Sequence, residues 1–318
     1  MHFDVFNGDA DGIIALLQLR LADPKTSTLI TGVKRDIQLL QQVPVEQASS
    51  VTVLDISMEK NIAPLEQLLA REVEVFYVDH HRAGDIPSSQ YLNAIIDTDA
   101  NTCTSLLINQ HLSGKYELWA IVAAYGDNML VAGDALAKAQ GLSAQQQAQL
   151  KALGIYINYN GYGRSVDDLH IAPTKLFNSL LNYPDPFELI NQPDSIFATL
   201  DQAYEADMAQ ANNAPVLHES DVLQVIVLEN APWSRRVSGV FGNELANRSP
   251  NKAHAVLTLN SDNSYLVSLR APLNNKQGAG NLCAQFDTGG GRAAAAGINA
   301  LAKEKLGNFI ALVSEYYQ

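Results

Sequence analysis

Four short segments carry carboxylates and imidazoles at places where they can work together. They are Asn7-Gly8-Asp9-Ala10-Asp11-Gly12, Asp55, Asp79-His80-His81, and Asp127 within Gly126-Asp127-Asn128. Carboxylates crowded at one place repel and raise one another's pKa, and a divalent cation removes that cost. A mixed oxygen and imidazole shell suits manganese, magnesium, iron or zinc better than calcium. Two such ions a few ångströms apart can hold a phosphate and turn water into a nucleophile near neutral pH. The chemistry these residues point to is metal-assisted hydrolysis of a phosphate ester or anhydride.

Each segment also has a plainer reading. Asn7, Asp9, Asp11 and Gly12 match the start of a calcium EF-hand loop, but a strand precedes them and Gln18, not Glu, holds the twelfth position. Asp55 alone reads as a helix cap. Asp79-His80-His81 alone reads as a solvated loop, and Asp127 as a solvated residue. Their joint placement in one alternating pattern favours a shared site.

That pattern is short apolar runs separated by amphipathic stretches. Residues 3–6, 29–33, 51–56, 73–78 and 94–96 read as strands, and 12–21, 36–42 and 62–70 as helices. Strand, crossover helix, strand, repeated, predicts an α/β fold with a parallel sheet. In such a sheet the strand ends share one edge, where ligands bind. Residues 104–112, 119–125, 144–153 and 198–211 then read as helices, interrupted by a turn-rich stretch at 158–163. Strands return at 222–228, 253–259 and 264–270, with a hairpin turn at 260–263. A glycine-rich loop at 289–291 and a helix over 293–305 complete the reading. The expected organisation is a metal-binding catalytic domain with a helical connector over 1–213 and a smaller α/β substrate-binding domain over 214–318.

The C-terminal segment Gly289-Gly290-Gly291-Arg292 suggests an anion site. Three glycines let backbone N–H groups approach an anion closely, and a following helix would aim its positive end there. Arg292, and Arg270 at the end of a strand, can each bind phosphate bidentately. The plainer reading is a tight turn packed on the small face of residues 293–296. A Walker-type loop is excluded by the missing Gly-Lys-Ser/Thr. Arg235-Arg236 beside Trp233 can offer stacking to a base, or form a solvated turn.

Composition narrows the function. The chain has 318 residues, 21 Lys/Arg, 34 Asp/Glu and a formal net charge of −13. Residues 215–318 hold nine Lys/Arg and eight Asp/Glu, whereas 1–214 hold twelve and twenty-six. Such a chain is neither disordered nor a basic nucleic-acid-binding module, and a long basic groove is not expected. The two cysteines, Cys103 and Cys283, make neither a disulfide framework nor a cysteine zinc site, and read as packing. The longest apolar run, near 118–125, is far short of the ~20 residues that span a membrane. The N-terminus lacks a secretory basic region, so a cytoplasmic protein with no membrane partner is expected.

Taken in order, the motifs resemble the DHH phosphoesterase family. Asp9-Ala10-Asp11-Gly12 resembles its first motif, Leu54-Asp55-Ile56-Ser57 its second, and Val78-Asp79-His80-His81 the signature that gives the family its name. Gly126-Asp127-Asn128 resembles the fourth. Thr288-Gly289-Gly290-Gly291-Arg292, followed by Ala295-Ala296-Gly297, resembles the glycine motif of the DHH-associated C-terminal domain.

The resemblance implies that Asp9, Asp11, Asp55, His80 and Asp127 are metal ligands, with Asp55 bridging two ions, usually manganese, with magnesium as the other candidate. Asp79 and His81 would be the catalytic pair, Asp79 orienting a histidine and His81 donating to the substrate phosphate. Arg270, Gly289, Gly290, Gly291 and Arg292 would bind substrate. Two positions depart from the family. Asn7 stands where RecJ-like members carry a leading Asp, which leaves one metal site in question. Arg292 stands where most phosphoesterase members carry His, and it cannot act as an acid or base near neutral pH. The expected function is hydrolysis of short oligonucleotides or small phosphorylated nucleotides; the alternative is a non-catalytic nucleotide- or nucleic-acid-binding protein on the same scaffold.

Overall fold

The computed structural model describes residues 1–99 and 101–318. They divide into two units, Met1–Gln202 and Ala203–Gln318.

The first unit is built on a parallel sheet of β1 (His2–Phe6), β2 (Thr28–Ile30), β3 (Ser50–Leu54), β4 (Glu74–Asp79) and β5 (Leu92–Ile96), in the order β2-β1-β3-β4-β5. Its central strands are almost wholly buried, as apolar runs covered on both faces must be. One face packs on α1 (Ala10–Ala22), the other on α2 (Ile62–Ala70) and the residues around Leu39, Leu40 and Val43. Helix α1 is buried from Ala10 to Arg20 because further helices cover its outer side. These are α3 (Thr104–His111), α4 (Glu117–Gly126), α5 (Leu130–Ala139), α6 (Ala144–Asn160), α7 (Pro173–Leu180) and α8 (Pro186–Ile190). α6 begins with a capping box between Ser143 and Gln146, which satisfies amides at its first turn. The next helix is α9 (Ile196–Asn212).

Two contacts set the backbone around the strand ends. Gly8 lies so close to Gly32 that a Cβ would collide with the Gly32 carbonyl oxygen, which presses the 31–36 segment onto the loop after β1. Gly154 meets Val122 and Gly126 as closely, so α4 and α6 cross backbone to backbone.

The second unit has a mixed sheet in the order β10-β11-β9-β8-β7-β6. Its strands are β6 (Val216–Glu219), β7 (Leu223–Leu228), β8 (Ala253–Leu259), β9 (Tyr265–Arg270), β10 (Gly289–Gly291) and β11 (Ala295–Leu301). β7 and β8 are parallel, joined through α10 (Pro232–Arg248); the other pairs are antiparallel. α11 (Ala279–Cys283) and α12 (Leu306–Tyr316) complete it, with Phe286, Phe309 and Val313 in the core.

Several expectations are corrected. Residues 36–42 form only a 3-10 turn at Leu40–Gln42, because the Asp36 carboxylate accepts from the Val33 amide and closes a turn where a helix would start. The glycine triplet is not a loop but a strand, paired with residues 296–298. Residues 295–301 are the strand β11, and the helix begins at Leu306, so no long helix follows the glycines. Small residues with good helix propensity are here overridden by pairing with β9. Arg235 and Arg236 are buried in α10, Arg236 on the Asp207 carboxylate at 2.8 Å, rather than lying in a solvated turn.

Candidate active site and its carboxylate cluster

The C-terminal ends of β1, β3 and β4 bring the sequence-selected residues together. The strand order turns back between β1 and β3, and it is there that a crevice opens in a parallel sheet. Asp9 and Asp11 follow β1, Asp55 follows β3, and Asp79-His80-His81 ends β4. Asp127 arrives from the C-terminus of α4.

Each side chain is held by named partners. Asp9 caps α1, accepting from the amides of Asp11 at 3.0 Å and Gly12 at 3.1 Å. Asp11 accepts at 2.7 Å from the amides of Thr104 and Ser105, the first residues of α3. Asp55 sits at φ +59°, in the left-handed region, and accepts from the Thr104 hydroxyl at 3.2 Å. A buried non-glycine residue held there stores about 1 kcal/mol, a sign that its surroundings fix it. His80 Nδ1 lies 3.0 Å from the Thr102 carbonyl oxygen, to which it donates. Its Nε2 therefore presents a lone pair, 3.5 Å from Asp55, 3.8 Å from Asp127 and 3.9 Å from Asp11. His81 pairs through Nδ1 with Asp79 Oδ1 at 2.7 Å.

Sequence reasoning missed Lys34. Its ammonium donates to Asp9 Oδ2 at 2.5 Å and to Asn158 Oδ1 at 3.1 Å, and lies 3.7 Å from Asp127 Oδ1. Its charge also faces the Tyr162 ring, 5.5 Å from the centroid. No local motif marks it, since its partners are 25 and 124 residues away. The departure at Asn7 has a structural use: Asn7 Nδ2 donates to the Lys34 carbonyl oxygen and its Oδ1 accepts from the Asp9 amide, both at 3.1 Å.

The electrostatics are uneven. Burial pushes the Asp55 carboxyl well above the ordinary range, and Asp11, Asp9, Asp127 and Asp79 push it further. Burial likewise raises Asp127, against the opposing charge of Lys34. Burial would raise Asp9 too, but the ammonium of Lys34 outweighs it and holds that carboxyl at about 2. Burial lowers the His81 imidazole, and the Asp79 carboxylate more than restores it, for a net rise.

In the second unit, Arg270 at the end of β9 donates to Asn243 Oδ1 at 2.6 Å, to Ser268 Oγ at 3.0 Å and to the Gly239 carbonyl oxygen at 3.1 Å. β11 runs beside it, with Ala295 opposite Arg270, and the glycine strand follows on the far side of β11. Arg292, in the turn between β10 and β11, is exposed, and a Cβ on Gly290 would meet nothing within 4 Å. The DHHA1 domain family matches residues 222–318.

The C-terminal unit carries a DHHA1 domain.

The fold around this DHHA1 domain also has counterparts among solved structures. Exonuclease RecJ bound to manganese matches 99% of this chain and 90% of its own at TM-score 0.62 and 16% identity. The pGpG-specific phosphodiesterase PggH from Vibrio cholerae matches 99% and 98% at TM-score 0.57 and 12% identity. RecJ from Thermus thermophilus in complex with Mn2+ matches 99% of this chain at TM-score 0.62 and 16% identity; this chain spans 52% of its length. No curated protein matches. The resemblance read from the C-terminal glycine motif is borne out by the DHHA1 match, and the fold of the chain is one it shares with RecJ and PggH.

The donor set fits a divalent metal ion. Asp55, His80 and His81 offer ligand atoms within 4.8 Å of one another, as do Asp11, His80 and Asp127. Oδ2 of Asp79 and of Asp127 are buried and accept no hydrogen bond among the described residues. Buried carboxylate oxygens left in this way are costly unless a cation meets them. Among the described residues no helix is long and apolar enough to cross a membrane.

Proposed function

We propose that this protein is a metal-dependent phosphoesterase acting on short oligonucleotides or small phosphorylated nucleotides. The observation that carries the reading is the convergence of Asp11, Asp55 and Asp127 on the free Nε2 of His80, all within 3.9 Å. Those four residues, with Asp9 beside them, would hold a divalent cation, with manganese preferred over magnesium because an imidazole is among the donors. When bound, the ion would draw electron density from the phosphoryl oxygens and promote attack by water on phosphorus.

The protein's own groups do the rest. The Thr102 carbonyl fixes the His80 tautomer, so that Nε2 is the coordinating atom. The amides of Thr104 and Ser105 orient Asp11. Asp79 accepts from His81 Nδ1 and favours the doubly protonated ring, whose Nε2–H would then be the donor for a phosphoryl or leaving oxygen. Arg270, Arg292 and the strand of Gly289, Gly290 and Gly291 are proposed to bind further anionic groups of the substrate; because β10 is a strand and the Gly289 amide already donates to the Phe286 carbonyl oxygen at 2.8 Å, the guanidinium donors carry most of this role rather than a helix dipole. The fold shared with PggH over nearly all of its length favours a small substrate such as a linear dinucleotide.

The test is a hydrolysis panel with manganese: a labelled dinucleotide, a longer single strand, a cyclic dinucleotide, a bisphosphorylated nucleotide and pyrophosphate. Turnover of the dinucleotide or bisphosphorylated nucleotide is expected to exceed that of the long strand. No turnover of any of the five overturns the enzyme and leaves the nucleotide-binding alternative. His80→Ala is expected to abolish activity while circular dichroism stays unchanged.

A further inference from the structure

The motifs call for two cations, yet one of the places they would fill already holds a positive charge. Lys34 Nζ lies 2.5 Å from Asp9 Oδ2, 3.1 Å from Asn158 Oδ1 and 3.7 Å from Asp127 Oδ1. Two of these three oxygens belong to carboxylates, Asp9 and Asp127, that the family resemblance implies are metal ligands. Among the described residues the two donor triads that can hold an ion both contain His80, and Asp9 belongs to neither. The remaining candidate ligand on that side is Asn7, which is neutral and whose two amide atoms are committed to the Lys34 carbonyl and the Asp9 amide.

The ammonium is also fixed in place. The Lys34 amide donates to the Gly161 carbonyl oxygen at 2.8 Å, and the Gly8–Gly32 approach pins the same segment to the loop after β1. The side chain is only 27% exposed, unlike a lysine that swings through solvent. A divalent ion bridging Asp9 and Asp127 would have to displace this ammonium or sit against it, and like charges at such separations repel strongly.

We propose that the Lys34 ammonium is a built-in replacement for one cation, so that the cluster takes a single divalent ion, held by Asp11, Asp55, His80 and Asp127. The inference rests on reading the cluster as a metal centre. It assigns Lys34 a function as well as a position. An ammonium supplies a fixed charge and N–H donors to a phosphoryl oxygen, where a second metal ion would have supplied coordination.

Manganese stoichiometry tests this without any assay of turnover. Equilibrium dialysis with metal analysis, and electron paramagnetic resonance of bound Mn2+, are run on the wild-type protein, on Lys34→Ala, and on Asn7→Asp/Lys34→Ala. One equivalent and an uncoupled six-line spectrum are expected for the wild type. A second equivalent, with spin coupling, is expected in at least one variant, each confirmed folded by circular dichroism. Two equivalents in the wild type overturn the proposal and leave the metal centre standing. One equivalent in all three proteins shows that Lys34 is not what excludes the second ion, and overturns it as well. No bound manganese in the wild type removes the metal reading itself, and the proposal with it.

Discussion

The two edges of the first sheet bury aspartates in opposite ways. At the N-terminal edge, Asp4 is fully buried and each of its oxygens is paired. Oδ1 accepts from Arg20 at 2.5 Å and meets His2 Nε2 at 3.0 Å; Oδ2 accepts from Arg20 Nε at 2.9 Å and from Ser27 at 2.5 Å. Burial raises this carboxyl, but His2, Arg20 and Ser27 together bring it down to about 2. At the C-terminal edge, Asp55 and Asp127 are raised, and buried oxygens of Asp79 and Asp127 accept nothing among the described residues. The same residue type in the same sheet is a finished structural element at one end and an open valence at the other. Burial alone does not mark a site; burial with unmet acceptors does.

The largest effect is expected where that difference is erased. Asp55→Asn removes one charge from the crowded edge. It should take hydrolysis to background and, in metal-free protein, raise the melting temperature by a few degrees, since one source of repulsion is gone. A fall in both activity and metal-free stability would break the contrast. Next, Arg20→Ala opens the closed edge and takes the guanidinium from the buried Asp4, leaving it His2 and Ser27 alone. Urea unfolding should show a loss of about 3–5 kcal/mol.

A smaller effect sharpens the same comparison through pH. The folded-state pKa of Asp4 is depressed from 3.8 to about 2. Its contribution is therefore complete above the unfolded value and is lost as pH falls from about 4 through 2, amounting to about 2 kcal/mol. Asp55 and Asp127 have the opposite sign. The folded state holds their protons more tightly, so metal-free protein should lose stability as pH rises above the ordinary carboxylate range. Urea midpoints across pH, with and without manganese, check both limbs, and added manganese should flatten only the upper one.

Much of this was legible beforehand. Apolar runs at 3–6, 51–56 and 73–78 became β1, β3 and β4 because a parallel sheet buries both faces. Once those strands stand side by side, Asp9, Asp55 and His80 must share an edge, so that part of the cluster followed from strand ends, whereas Asp127 comes from the end of α4. What could not be read was pairing that crosses long stretches of chain. Lys34 reaches Asn158 from 124 residues away, and nothing near either residue announces the other. The glycine triplet misled for a different reason. Its local composition suits a loop, but Cys283 and β11 crowd it into an extended strand.

The close crossing of α4 and α6 reaches further than its own core. α4 ends at Gly126, next to Asp127, and Asn158 lies in the last turn of α6. Both side chains face Lys34. A methyl group at Gly154 would meet the Val122 carbonyl and force these helices apart, carrying Asp127 and Asn158 with them. In a saturation-mutagenesis screen scored on turnover, a position with no side chain would then be as intolerant as a ligand. The crossing acts as a hidden gauge block: a distance standard, set in backbone, against which the spacing of the cluster is held.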